Sequence, residues 1–220
     1  MGPETLAAAE LSWFGVPGDR RWAFIRPGVE RSGFPWLTLR EHTHLALYRP
    51  AYVDPDRPDA SATVVRTPQG AEPDVTDPAL RAELGSGPLR VIRQDRGVFD
   101  ASALALVTTR TIAALGAMLG VPIAVQRFRP NFLIEAHAAA AFQEDEWVGC
   151  ELRIGTMRMR VDKRDGRCGV INVDPQTGVR NPAVLRAVAQ ERWHCVGVYG
   201  TTVRPGRVTE GDRVFIEAGP

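Results

Sequence analysis

The stretch LRIGTMRMRVDKRDGRCGVINV, Leu152–Val173, decides the fold class. Apolar Met157, Met159 and Val161 alternate with arginine and aspartate, the period of two that sends successive side chains to opposite faces of a strand. The pattern predicts strands over Leu152–Asp162 and Cys168–Val173. Working outward, WAFI (Trp22–Ile25), LTLREHTHLALY (Leu37–Tyr48), ATVVR (Ala62–Arg66) and LRVIR (Leu89–Arg93) read as strands by the same signals. So do NFLIEA (Asn131–Ala136) and DRVFIEA (Asp212–Ala218). Helical spacing is confined to Thr108–Leu119, with threonine as cap, to Asn181–Arg192, with Asn-Pro at its start, and to the short Asp77–Leu84. The class is mostly β, a barrel or sandwich with a few peripheral helices. Pro and Asp cluster at Pro50–Ala62 and Thr67–Pro78. They place a small N-terminal β domain over residues 1–75 and a larger barrel domain over 85–220.

The chain has 220 residues, 44% hydrophobic and 24% charged, enough to bury a sizeable core. No apolar run approaches the roughly 20 residues that span a bilayer, and the N-terminus has no signal-peptide pattern. The expectation is a soluble, cytoplasmic protein without a membrane partner. A formal net charge of +1 and no basic stripe argue against nucleic acid as a partner. Lys163 is the sole lysine; every other cation is arginine, which either codon usage or phosphate binding would produce. No nucleophile-elbow, zincin or P-loop motif occurs, and GSGPLR (Gly85–Arg90) lacks the third glycine of a dinucleotide loop.

His42 and His44 would share one face of the expected Leu37–Tyr48 strand, within reach of a common metal, but no third ligand stands nearby. His137 and His194 are isolated. Cys150, Cys168 and Cys195 are too far apart in sequence for a CxxC metal site. Cys150 and Cys195 lie in apolar or small stretches and read as structural, whereas Cys168 is flanked by Arg167. That guanidinium would favour thiolate, and Gly166 and Gly169 would let a ligand approach the backbone. Such a thiolate can be a nucleophile, a sulfur acceptor or a soft metal ligand. In VQRFRPN (Val125–Asn131), Arg127 and Arg129 alternate along what reads as an extended piece, with the Asn131 amide beside them. They suit an anionic, heteroatom-rich ligand, or else a salt-bridge ladder with Glu144 and Asp145.

RFRPN (Arg127–Asn131), EDEW (Glu144–Trp147), GRCGVINVDPQTG (Gly166–Gly178) and YGTTVRPGRVTEGD (Tyr199–Asp212) follow one another in an order that resembles the MOSC domain family. That family is named for the C-terminal part of molybdenum cofactor sulfurases. Gly15–Ile25 and Leu37–Tyr48 resemble the β-rich domain that precedes it. The resemblance implies a β-barrel related to the pyruvate kinase barrel domain and a molybdenum cofactor, molybdopterin-bound Mo. It implies Cys168 as Mo ligand, and Arg20, Arg129 and Asn131 around the pterin and its phosphate. Ser102, in the Asp-Ala-Ser motif Asp100–Ser102, would line the same pocket. The activity implied by amidoxime-reducing members is reduction of N-hydroxylated or N-oxide small molecules. The electrons would come from an external flavoprotein or iron–sulfur reductase. The alternative is a sulfur carrier holding a persulfide on Cys168, charged by a cysteine desulfurase. The chain departs from the pattern twice. It has no Pro-Val-Lys-Ser type strand, so either it is truncated there or cofactor binding is weakened or lost. It also has Asp165 where relatives often carry a further cysteine.

Overall fold

The computed structural model describes residues 1–85, 87–136 and 140–217; His137 lies outside them. In chain order the elements are β1 (Ala8–Leu11), β2 (Trp22–Ile25), β3 (Arg49–Tyr52), β4 (Thr63–Arg66), α1 (Pro78–Leu84), β5 (Arg90–Arg93), β6 (Leu104–Thr108) and α2 (Thr109–Leu119). Then come β7 (Phe132–Ile134), β8 (Glu151–Ile154), β9 (Met157–Gly166), α3 (Ala183–Arg192), β10 (Cys195–Arg204), β11 (Gly206–Thr209) and β12 (Val214–Glu217). The chain divides into two compact units that are not consecutive in sequence. One comprises Met1–Glu4, Gly18–Val98 and Val173–Arg180, the other Thr5–Pro17, Phe99–Asn172 and Asn181–Pro220.

In the first unit β2 pairs with β5 and β3 with β4, both antiparallel. Their inner residues Phe24 and Val65 join Leu45, Tyr48, Val75, Leu80, Leu84 and Leu89 in one core. Asp77 caps α1 by accepting from Ala79 N at 2.7 Å, and Pro78 opens the helix where its missing N–H costs nothing. The second unit is mostly strand. Its six-stranded sheet, ordered β12-β8-β9-β10-β6-β7, curls as a half-barrel, and β1 pairs separately with β11. All ladders in the sheet are antiparallel except β6–β7. The alternation of β9 buries Met157, Met159 and Val161 with Leu104, Leu106, Leu152, Ile154 and Val198 in one core. A second core on the helix side gathers Val107, Leu115, Phe128, Ile171, Val184, Val188 and Val196.

Several expected elements are different in the structure. Leu152–Asp162 is not one strand but the hairpin β8–β9, turned at Gly155, whose φ of 57° suits a tight two-residue connection. Cys168–Val173 is not a strand: Gly169–Asn172 forms a 3-10 turn, because Ile171 must reach the helix-side core. Leu37–Tyr48 is likewise not a strand. Thr43–Leu47 is a 3-10 helix burying Leu45 and Ala46, so His42 and His44 do not share a strand face. Among the described residues no group of three metal-ligating side chains occurs. Arg127 ends a 3-10 helix (Val125–Arg127) and Arg129 has φ 53°, so the two do not alternate along an extended piece. Strands β1, β3, β6, β10 and β11 were not foreseen. No described helix is long and apolar enough to cross a membrane.

The bulge in β10 positions the site. Its register against β9 shifts between Cys195 and Val198, and Gly197 has φ 74°. Val196 and Val198 would share a face in a regular strand, but here they enter different cores. A Cβ on Gly197 would lie 2.5 Å from the Leu106 carbonyl oxygen and 3.4 Å from an Arg167 nitrogen. Gly197→Ala is therefore expected to lose about 2–4 kcal/mol in urea unfolding, combining left-handed strain with overpacking. Gly169→Ala, whose Cβ would meet nothing within 4 Å, is expected to stay within about 0.5 kcal/mol.

Candidate functional site

Cys168 is half-buried, two residues past the end of β9. Strand pairing sets Gly166 opposite Cys195, and one step on the Arg167 amide donates to the His194 carbonyl at 2.6 Å. The Cys168 carbonyl then accepts from Ile171 N at 3.2 Å, closing the 3-10 turn. Gly166 and Gly169 bracket the thiol, and a Cβ on either would meet nothing within 4 Å. The thiol therefore stands on a loop tied down by backbone bonds on both sides.

Arg167 fixes that loop. Its side chain is 7% exposed and pairs at 2.5 Å with Asp165, whose side chain is 1% exposed. Its Nε and Nη2 donate to the Val196 carbonyl at 2.9 and 2.6 Å, and Nη1 donates to the Phe128 carbonyl at 2.8 Å. Those contacts occupy most of the five N–H groups a guanidinium offers. Burial lowers the Arg167 pKa from its usual value, and the Asp165 carboxylate opposes that effect. Burial also raises the Tyr199 phenol, with the Asp165 carboxylate reinforcing it, so the hydroxyl stays protonated. The guanidinium faces its own carboxylate and backbone carbonyls. Arg167 thus holds the cysteine loop through its carboxylate and carbonyl partners.

The other expected residues group as follows. Arg127 Nη1 donates to the Asn172 carbonyl at 3.0 Å and the Ile171 carbonyl at 3.4 Å, clamping the turn that follows Cys168. Arg129 sits one residue after buried Phe128, half-buried itself, in a left-handed conformation before Pro130. That conformation costs an L-residue about 1–2 kcal/mol. Asn131 Oδ1 accepts from Ala105 N at 2.9 Å while its own amide donates to Ala105 O at 2.8 Å, locking β7 onto β6. Ser102 Oγ donates to the Gly200 carbonyl at 2.7 Å. Arg20 belongs to the first unit, pairs with Asp19 at 2.6 Å and has φ 50°.

Glu144 is fully buried and accepts from Thr108 Oγ1 at 3.0 Å and Thr111 Oγ1 at 2.9 Å, at the start of α2. Asp145 pairs with Arg164 at 3.0 Å and with Arg192. Three features were not foreseen: the Asp165–Arg167 pair, the β10 bulge, and the left-handed residues Trp193 and His194 at the end of α3. Only the last left a signal, since no glycine stands where α3 must stop.

The soft donors are the Cys168 thiol and, paired across from Gly166, the half-buried Cys195, among hard, arginine-rich surroundings. The set fits a thiophilic metal at Cys168 and an anionic group near Arg129. The MOSC domain model matches residues 93–215. The mitochondrial amidoxime-reducing component 1 of Xenopus laevis is 35% identical over 80 residues, 36% of this chain and 22% of that protein. A molybdenum cofactor sulfurase of Drosophila grimshawi is 26% identical over 224 aligned positions, 84% of this chain and 28% of that protein. The matches thus span about a quarter of those relatives' lengths. Among solved structures, the YUAD protein from Bacillus subtilis is 13% identical, with 99% of this chain and 88% of that chain covered and a TM-score of 0.49.

Arg167→Leu is expected to lose about 3–5 kcal/mol in urea unfolding, because Asp165 is left buried without its cation. Adding Asp165→Leu should recover only part of that, since the Val196 and Phe128 carbonyls still lose their donors. Full recovery in the double variant would show that the pair matters by charge alone.

Proposed function

The chain belongs to the MOSC domain family, and from that premise we propose that it binds a molybdenum cofactor through Cys168 and reduces N-hydroxylated or N-oxide compounds. The observation that carries the reading is the half-buried thiol flanked by Gly166 and Gly169, at each of which an added Cβ would meet nothing within 4 Å. The names of relatives point the same way, one being an amidoxime-reducing component and another a molybdenum cofactor sulfurase. When bound, the cofactor would supply two-electron chemistry that removes oxygen from an N–O bond.

This chain's residues would do the rest. Cys168 holds the metal as thiolate. Arg129 offers a planar fork for the cofactor's phosphate. Asn131 and Ser102 shape the wall while keeping their backbone partners Ala105 and Gly200. Arg127 and Arg167 keep the cysteine loop still on both sides of the thiol. Electrons would come from a separate flavoprotein or iron–sulfur reductase.

A sulfur-carrier reading is favoured by one observation, the match over 84% of this chain to a sulfurase. There Cys168 would accept sulfane sulfur from a cysteine desulfurase and pass it on. Elemental analysis and turnover separate the two. Protein from a cofactor-producing host should contain molybdenum and reduce an amidoxime with an artificial donor, and Cys168→Ala should lose both. No molybdenum in protein from such a host would sink the enzyme reading. A persulfide on Cys168 by mass spectrometry, without turnover, would establish the carrier.

Arg129→Lys keeps the charge but loses the fork. Charge-assisted hydrogen bonds contribute roughly 1.5–3 kcal/mol each, so cofactor retention should fall about tenfold or more. The melting temperature of the apo protein is the control and should move little. A large apo shift with unchanged retention would make Arg129 a scaffold residue.

A further inference from the structure

α2 and α3 end in the same backbone conformation with different residues. α2 stops at Gly120, φ 67°, the residue type that adopts this region without penalty. α3 stops at Trp193, φ 55°, and His194 follows at φ 62°. Two consecutive left-handed L-residues are costly, and glycine would relieve both. Burial does not offset that cost at Trp193, which is 83% exposed. Backbone bonds hold the conformation: His194 N donates to Val188 O at 3.2 Å, and His194 O accepts from Arg167 N at 2.6 Å. That second bond ties the residue after Trp193, the cap of α3, to the residue before Cys168, just beyond the ends of β10 and β9. Gly166, across the ladder, is exposed and would meet nothing within 4 Å of an added Cβ. A solvent-facing indole therefore stands at the end of α3, one residue from the backbone bond that joins that end to the cysteine loop.

The geometry points to Trp193 as a specificity-determining residue: its ring is the platform on which the planar aryl group of a substrate stacks while its N–O group is presented at Cys168. The inference rests on the proposed reading of Cys168 as the reaction centre and adds the part of the substrate that is recognised. A flat π-system is the occupant that fits a single indole face. Stacking works without a pocket, and the half-buried thiol leaves the reacting end at the surface. An alkyl group would gain little from the same ring.

The test compares benzamidoxime with acetamidoxime in wild type, Trp193→Ala and Trp193→Phe. Trp193→Ala should raise KM for benzamidoxime about three- to tenfold, leaving kcat and both constants for acetamidoxime within about twofold. Trp193→Phe should restore most of the loss. Equal shifts for both substrates, or none, overturn the proposal. So does an increase confined to the KM of a protein electron donor, which would make the indole a partner contact. Trp193→Gly should show the trade directly, raising Tm by about 1–3 °C through relief of the left-handed strain while losing aryl preference. A second readout needs no molybdenum. Benzamidoxime titrated into apo protein should quench tryptophan fluorescence saturably, acetamidoxime should not, and the signal should vanish in Trp193→Phe. Absence of saturable quenching overturns the platform even if the enzyme reading stands. Its presence supports the platform even if the metal reading fails.

Discussion

A buried guanidinium has to be met on every side, and the way Arg167 is met organises the segment that bears Cys168. Asp165 meets the charge, the Val196 carbonyl meets two nitrogens, and the Phe128 carbonyl meets a third. The three partners come from the end of β9, the bulge of β10 and the 3-10 turn before Arg129. Such a pair adds little net stability over an apolar replacement, because desolvation offsets most of the attraction. Its effect is on alternatives. Any arrangement that moves one of the three segments strands a buried charge or a buried carbonyl, at several kcal/mol. Cys168 follows Arg167 directly, so the thiol inherits its position from the ion pair.

Strain is spent near the same place. Trp193 and His194 adopt the left-handed region beside the cysteine loop, and Arg129 does so just past the Phe128 carbonyl that Arg167 holds. Glycine takes that conformation at Gly120, Gly155 and Gly211, and Arg20 and Phe142 adopt it as well. A backbone that could have used glycine and instead presents an arginine or an indole is displaying a side chain at a cost in stability.

Much of the strand content was legible because alternation leaves a mark on one face of a sheet. Met157, Met159 and Val161 read correctly since the arginines between them face outward. Leu104–Thr108 escaped because every residue of β6 is buried. Leu104 and Leu106 serve one core and Val107 the other, so no polar partner marks the period. Cys168–Val173 misled for the opposite reason. Val170, Ile171 and Val173 look like a strand, but Ile171 turns inward under helix α3 and Asn172 Oδ1 accepts from Leu185 N at 2.8 Å. That tertiary cap overrides local preference. The sequence singled out Cys168 among three cysteines by its arginine neighbour, and the structure places it on a half-buried loop. The ion pair was not legible, since nothing in Asp-Gly-Arg-Cys says that the first and third side chains point into the protein.

The bulge joins these observations. One residue added to β10 sends Val196 into the helix-side core and Val198 into the sheet core, so a single irregularity serves both packing layers. The same kink turns the Val196 carbonyl, which a regular ladder would consume, toward Arg167. Core packing and the position of the cysteine loop are then the same constraint seen from two sides. A substitution that lets β10 run straight would misplace a valine and release the guanidinium together. The thiol can therefore be half-buried and still fixed in position, because the buried cation one residue before it holds the loop.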